Sequence, residues 1–280
     1  MLRCIVTDVS REKITLSGAQ ETLLATLYGR ALDSRSPNSV LGDHEAARAV
    51  DRIDYDFGRT GISATTAAGV ALRAHQLDGW TREFLAEHEH ATVLHLACGL
   101  DTRVHRLAPA PTVRWFDVDY PEVVDLRERL LPPPGGDYHP IGTSVTDEAW
   151  LDQVPSDRPT VTVFEGLSMY LIKQDGRRLI ERITGRFPSG QLLFDCYGTI
   201  GIRLQKLVPA VRNAGATLHW GIDDPHELEN WHQGLRLLDA IRSVDVPGLD
   251  KLPASGRLGM RVMAHIPGLR DIGRILRYRF

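Results

Sequence analysis

Cysteine is scarce in this chain: Cys4, Cys98 and Cys196 lie far apart, with no CxxC pair. The spacing excludes a disulfide framework and a thiolate zinc site, and it points to a reducing compartment. Long hydrophobic runs are missing too. No apolar stretch reaches 18 residues, and residues 1–10 lack a basic patch followed by a long apolar run. Neither a membrane span nor a signal peptide is expected, and the expected location is cytoplasmic. Charge of one sign is absent as an excess, since 33 Lys and Arg against 36 Asp and Glu leave a net −3. Without a basic field, nucleic acid is not an expected partner. Repeats, low-complexity tracts and long linkers are also lacking. No histidine cluster has metal-ligand spacing; His88-Glu89-His90 reads as a solvated helix end.

What is present is an ordinary globular composition, 42% hydrophobic and 25% charged over 280 residues. That is enough for one large α/β domain with an appended cap. Residues 1–90 read as helices. Ser17 with Gln20 has capping-box spacing, and Leu23, Leu24, Leu27, Ala31 and Leu32 then share a face. Asp43 is placed to cap a second helix. A third pattern runs over 65–78, and a shorter fourth holds Phe84 and Leu85.

From Thr92 onward short apolar runs alternate with helix-length segments, the pattern of a doubly wound, mostly parallel sheet. The runs are 93–97, 113–118, a weak one at 138–141, 160–164 and 191–196. Helices are expected over 121–131, 147–151 and 174–187. The last eighty residues mix helical stretches (225–231, 256–265) with strand-like ones (235–246, 275–280). Arg270, Arg274, Arg277 and Arg279 read as a solvated basic face.

In such a sheet ligands bind beyond the carboxyl ends of the strands. After the first run comes Cys98-Gly99-Leu100-Asp101-Thr102-Arg103, a turn with a single glycine. Dinucleotide enzymes use three, because a pyrophosphate must approach the backbone closely; here Ala97 and Cys98 hold the early positions. A ligand without phosphate suits this turn better. The second run ends Asp117-Val118-Asp119-Tyr120-Pro121, with its acids 18 and 20 residues beyond Gly99, near the offset at which a carboxylate meets a ribose diol. Capping of the helix at Pro121 is the plainer role for Asp119. Alternation puts both acids on one face. The fourth run leads into Glu165-Gly166-Leu167-Ser168-Met169-Tyr170-Leu171. There Glu165 is placed to hold an ammonium group or shape a wall, and Tyr170 to hydrogen-bond a substrate oxygen.

Taken together these segments resemble the leucine carboxyl methyltransferase family, in particular its bacterial polyketide O-methyltransferase branch. The matching text is 21–31, 93–103, 115–121, Ser144-Val145-Thr146-Asp147 with Trp150, and 165–171, with a weaker echo at 220–225. The resemblance implies a class I, Rossmann-like methyltransferase dependent on S-adenosylmethionine. It divides one domain over 1–280 into a helical cap (1–90), a cofactor-binding core (91–197) and a substrate cover with C-terminal strands (198–280). Implied cofactor contacts are Arg73, pairing with the cofactor's carboxylate, the turn residues Ala97, Cys98, Gly99 and Asp101, the strand end Asp117, Asp119 and Tyr120, then Ser144 and Val145 beside the adenine, and Glu165 and Gly166. Arg30, Tyr170 and Trp220 are the implied substrate contacts, with Tyr170 the catalytic candidate, and no metal is implied.

Methyl transfer from a sulfonium is an in-line displacement, so positioning matters more than acid–base machinery. A carboxylate acceptor, with a pKa of about 4, is already ionised at neutral pH. A phenol gains from a general base. None of the eleven histidines sits in a matched motif with an acidic partner. The expectation is therefore O-methylation of a carboxylate, with a hydroxyl as the other target, on a small natural product such as a polyketide. A protein C-terminal carboxyl group as acceptor, and a lapsed enzyme that only binds the cofactor, stay open as alternatives.

Overall fold

The computed structural model describes residues 11–14 and 18–280. Its main sheet has seven strands: β1 (Thr92–Leu96), β2 (Arg114–Asp119), β3 (Asp137–Gly142), β4 (Thr160–Phe164), β5 (Gly190–Tyr197), β6 (Arg236–Arg242) and β7 (Gly273–Arg279). Their spatial order is β3-β2-β1-β4-β5-β7-β6. β1 to β5 run parallel, and β7 runs antiparallel to both β5 and β6. The order reverses between β1 and β4, which opens a crevice at the carboxyl ends of the central strands.

Both central strands are buried along their whole length. Each has a strand on either side and helices above and below, so their sequences read as continuous apolar runs. Alternation still sorts the side chains. Leu94, Leu96, Phe164 and Phe194 enter one core with Leu179, Ile180 and Ile183 of α6 (Lys173–Arg186). Val93, Val161, Val163 and Leu193 enter the other, with Leu72, Leu77, Trp80 and Phe84. The remaining helices are α1 (Thr22–Ser34), α2 (His44–Asp51), α3 (Ala64–Glu87), α4 (Arg103–Leu107), α5 (Pro121–Leu130), α7 (Thr199–Arg203), α8 (Pro209–Asn213) and α9 (Ala254–His265).

Several expectations need correction. The patterns at 65–78 and 84–85 are one helix, α3. Gly79 inside it costs about 1 kcal/mol of helix propensity, which burial of Leu77, Trp80 and Phe84 on either side outweighs. The expected 147–151 helix is a 3-10 turn at Ala149–Gln153. Ser17, the expected cap of the first helix, lies outside the described residues, and α1 follows directly from a 3-10 turn at Gly18–Glu21. Asp43 does cap α2, its Oδ1 accepting from the Ala46 amide at 3.0 Å. The C-terminal arginines form no free basic face, because Arg274 and Arg277 are mostly buried and pair with Asp271 and Glu83. Among the described residues, no helix is long and apolar enough to cross a membrane.

Candidate active site

A cavity of about 490 Å³ opens at the carboxyl ends of β1, β2 and β4, within the range of small-molecule sites. The turn after β1 forms its floor. Gly99 adopts φ +49°, and a Cβ there would stand 3.3 Å from Cβ of Leu23 on α1. Ala97 also has a left-handed backbone, at φ +48°, which costs a residue with a Cβ about 1–2 kcal/mol. Strain of this kind persists where the surroundings fix the turn. Asp119 does part of that fixing. Its Oδ2 accepts from the Gly99 amide at 2.7 Å and its Oδ1 from the Tyr120 amide at 2.8 Å. It makes no side-chain cap on α5, so the plainer capping role falls away. The carboxylate ties two strand ends together and faces the cavity. Burial raises its pKa against the pull of those two amides.

Asp117 is a correction. It does not line the cavity. It lies opposite His95 in the β1–β2 register, and its carboxylate accepts from Trp115 Nε1 and Tyr138 Oη at 2.8 Å each, meets His95 Nδ1 at 2.9 Å, and pairs with Arg127. With its lone pairs spent inside the sheet, none is left for a ligand. Burial alone would raise its pKa, but Arg127 and then His95 hold it well below the carboxylate range.

Beneath the β4 end lies a buried ionic layer. Glu165 Oε1 accepts from Arg73 Nη2 at 2.9 Å and Oε2 from Arg103 Nη2 at 2.7 Å. Arg73 Nη1 donates to Asp195 at 2.7 Å, while Arg103 Nε donates to Asp78 at 2.7 Å. Arg106 joins Asp78, Asp43 and Asp101. Burial works against the charge on Glu165, but Arg73 and Arg103 keep its pKa below the usual value. Arg73 is likewise raised, because Asp195 and Glu165 overcome its desolvation. Arg30 is the loosest member. It stands 3.7–3.8 Å from Asp43, Asp101 and Glu165, and its buried Nε has no hydrogen-bond partner.

The cavity also has an apolar lining, from Val70, Met169, Leu171, Val208, Val211 and Leu218, with Tyr170, Tyr197 and His219 among its polar residues. Tyr170 Oη donates to Thr22 Oγ1 at 3.3 Å. Burial raises both tyrosine pKa values, so the phenols stay protonated at neutral pH. His219 is positioned through its backbone, its amide donating to Met169 O at 2.7 Å. Gln205 holds the neighbouring Leu218 at both its amide and its carbonyl.

Arg30, Arg73, Ala97, Cys98, Gly99, Asp101, Asp119, Tyr120, Ser144, Val145, Glu165, Gly166 and Tyr170 thus line one cavity. Trp220, like Asp117, does not. Its ring stacks on Trp231 at 5.6 Å and fills the space where Gly176 lacks a side chain, a Cβ there falling 2.2 Å from the ring. Trp220 anchors the loop, and its neighbour His219 faces the cavity. Sequence reasoning missed His219, Tyr197 and Asp195. The first two sit in segments with no motif. Asp195 carried a usable signal, since an acid inside the buried run of β5 demands a partner.

The chemistry available is holding rather than attacking. Burial pushes the Cys98 thiol well above its usual pKa, which leaves it a neutral, poor nucleophile. Among the described residues no group of side chains is arranged to hold a metal. The donor set fits S-adenosylmethionine: Asp119, facing the cavity at a strand end, suits a ribose diol, and the loosely held Arg30 guanidinium, its Nη1 3.8 Å from Glu165, suits an amino-acid tail.

A family model described as leucine carboxyl methyltransferase matches residues 24–184. The chain is 46% identical over 270 residues to the tetracenomycin polyketide synthesis O-methyltransferase TcmP of Streptomyces glaucescens, covering 96% of this chain and 99% of that one. It is 38% identical over 248 residues to the S-adenosyl-L-methionine-dependent methyltransferase dpfgK of Gibberella zeae, covering 81% and 83%. The crystal structure of a DUF574 family protein from Streptomyces avermitilis shares the fold, with a TM-score of 0.57 at 15% identity over 89% of this chain and 99% of that one. With the family model spanning more than half of its length and such relatives matching most of the rest, the chain is an S-adenosylmethionine-dependent methyltransferase and belongs to the leucine carboxyl methyltransferase family.

Proposed function

We propose that the chain methylates an oxygen of a small, ring-bearing natural product of the polyketide kind, and that this oxygen belongs to a carboxylate. The observation that carries this reading is one continuous cavity lined both by ionic groups, Arg30, Arg73, Asp101, Asp119 and Glu165, and by apolar ones, with the protonated phenols of Tyr170 and Tyr197 among them. S-adenosylmethionine supplies an activated methyl group when bound. Asp119 would hold the ribose, Ser144 and Val145 the adenine edge, and Tyr120 the adenine face. The turn from Ala97 to Asp101 would carry the tail, with Arg30 and Arg73 on its carboxylate and Glu165 and Gly166 beside its ammonium. Tyr170 would donate to the acceptor oxygen that is not methylated. Of the carboxylates that line the cavity, Asp101 and Glu165 are paired with arginines, and an acceptor already ionised needs no base.

The division into a cap (1–90), a core (91–197) and a cover (198–280) rests on the same cavity, since residues from all three line it. A cytoplasmic location accords with the buried, unpaired Cys98 and Cys196. The test is incubation with methyl-labelled S-adenosylmethionine and a panel of polycyclic aromatic acids and phenols. Label that enters the organic phase and is released by mild base marks an ester and supports the reading. Base-stable label marks an ether and moves the target to a hydroxyl. Label on a protein band, or binding with no transfer at all, overturns the assignment.

A further inference from the structure

Acids outnumber cations in this chain, yet residues 196–222 contain Arg203, Lys206 and Arg212 and neither Asp nor Glu. The same segment lines the cavity through Val208, Val211 and Leu218. It meets the opposite wall along a seam. Asn213 Nδ2 donates to the Arg59 carbonyl at 2.8 Å, and Pro209 packs so tightly on Gly61 that a Cβ there would lie 2.8 Å from it. Arg59 belongs to the side carrying Ile62 and Thr66, which face the cavity. Its side chain is 64% exposed, lies over the Tyr55 ring, and stands 3.9 Å from Glu21, whose Oε1 also accepts from Tyr55. Lys206 and Arg212 are exposed, one two residues before Val208 and the other next to Val211. Arg203 instead feels Asp223. Leu207, 71% exposed, adds an apolar step between the cations.

We propose that Arg59, Lys206 and Arg212 form a cationic rim that collects a carboxylate-bearing acceptor and favours release of its uncharged methyl ester. This rests on the carboxylate reading above and assigns it specificity-determining residues. In the transfer the carboxylate oxygen gains the methyl group, the electron pair of the broken C–S bond stays on sulfur, and no proton is released. The acceptor thus arrives with one negative charge and leaves with none, so the rim distinguishes substrate from product by charge. Exposed cations beside the mouth of a site raise the local concentration of an anion, and salt screens the effect.

The test titrates full-length protein, preloaded with S-adenosylhomocysteine, with anthracene-2-carboxylate and with its methyl ester. The acid should bind about tenfold more tightly than the ester at low salt, and the difference should shrink severalfold as salt rises to about 0.5 M. Lys206→Glu with Arg212→Glu should erase the preference and leave S-adenosylhomocysteine affinity and melting temperature unchanged. The alanine pair should fall between. Equal binding of acid and ester, no binding of either, or a preference that survives both salt and charge reversal overturns the proposal. Failure of the wild type to bind S-adenosylhomocysteine instead overturns the donor site, a separate result.

Discussion

Asp117 and Asp119 differ in what surrounds them more than in where the chain puts them. Both are buried acids of β2, but one is saturated by Arg127, Tyr138, Trp115 and His95, while the other spends its bonds on two backbone amides and keeps a face to the cavity. Asp119→Ala should therefore raise the dissociation constant of S-adenosylhomocysteine about tenfold or more, as hydrogen bonds to a charged acceptor worth roughly 1.5 kcal/mol or more each are lost. Calorimetric titration measures this directly. Asp117→Asn should behave in the opposite way. It leaves Arg127 buried without its counter-charge, at about 3–5 kcal/mol of stability, and denaturant unfolding should show that loss with ligand affinity per folded molecule little changed. Alternation along a strand could not separate the two acids. The decisive partners, Arg127 on α5 and Tyr138 on β3, come from other elements, and only the folded register brings them to Asp117.

At the scale of elements, what was legible followed burial. The strand expected at 160–164 is β4 to the residue, because a central strand must be apolar throughout and ends where it meets the crevice. Motifs at strand ends were legible for the same reason: turn, acid and glycine are each demanded locally. The cover was not legible, since α7 and α8 are short and their contacts are made one at a time. Gln205 is an example, with its side chain clamping Leu218 thirteen residues away. Gln205→Ala should loosen the loop that presents His219 and Tyr197's neighbours to the acceptor. The expected result is an acceptor KM raised about fivefold, the cost of roughly one hydrogen bond, with S-adenosylhomocysteine affinity unchanged. Steady-state kinetics beside calorimetry separates the two, and a matching loss of donor affinity would place Gln205 elsewhere in the mechanism.

For the whole molecule, the ionic layer under the site sets the response to acid. Burial opposes ionisation of Asp117, Asp101, Asp78 and Glu165, but Arg127, Arg106, Arg103 and Arg73 hold their pKa values below the usual range. A carboxylate depressed in the folded state contributes stability that is present above its unfolded pKa, about 4, and is lost as pH falls toward the folded value. The share of stability these four groups contribute should thus be constant above about pH 5 and be lost steeply below about pH 4, where the melting temperature should fall. Scanning calorimetry across that range checks it, and Asp117→Asn should flatten the acid limb. A melting temperature that rose on acidification would contradict these ion pairs.

The strand order has its own consequence for biogenesis. β7 follows β6 in the chain yet lies between β5 and β6. While the ribosome still holds residues 273–279, β6 has no neighbour to pair with and the apolar flank of β5 stands open. Domains otherwise tend to consolidate from the amino end during synthesis. A nascent chain stalled before Gly273 should be an exposed, chaperone-dependent intermediate, so that emergence of β7 becomes the step that shuts the sheet.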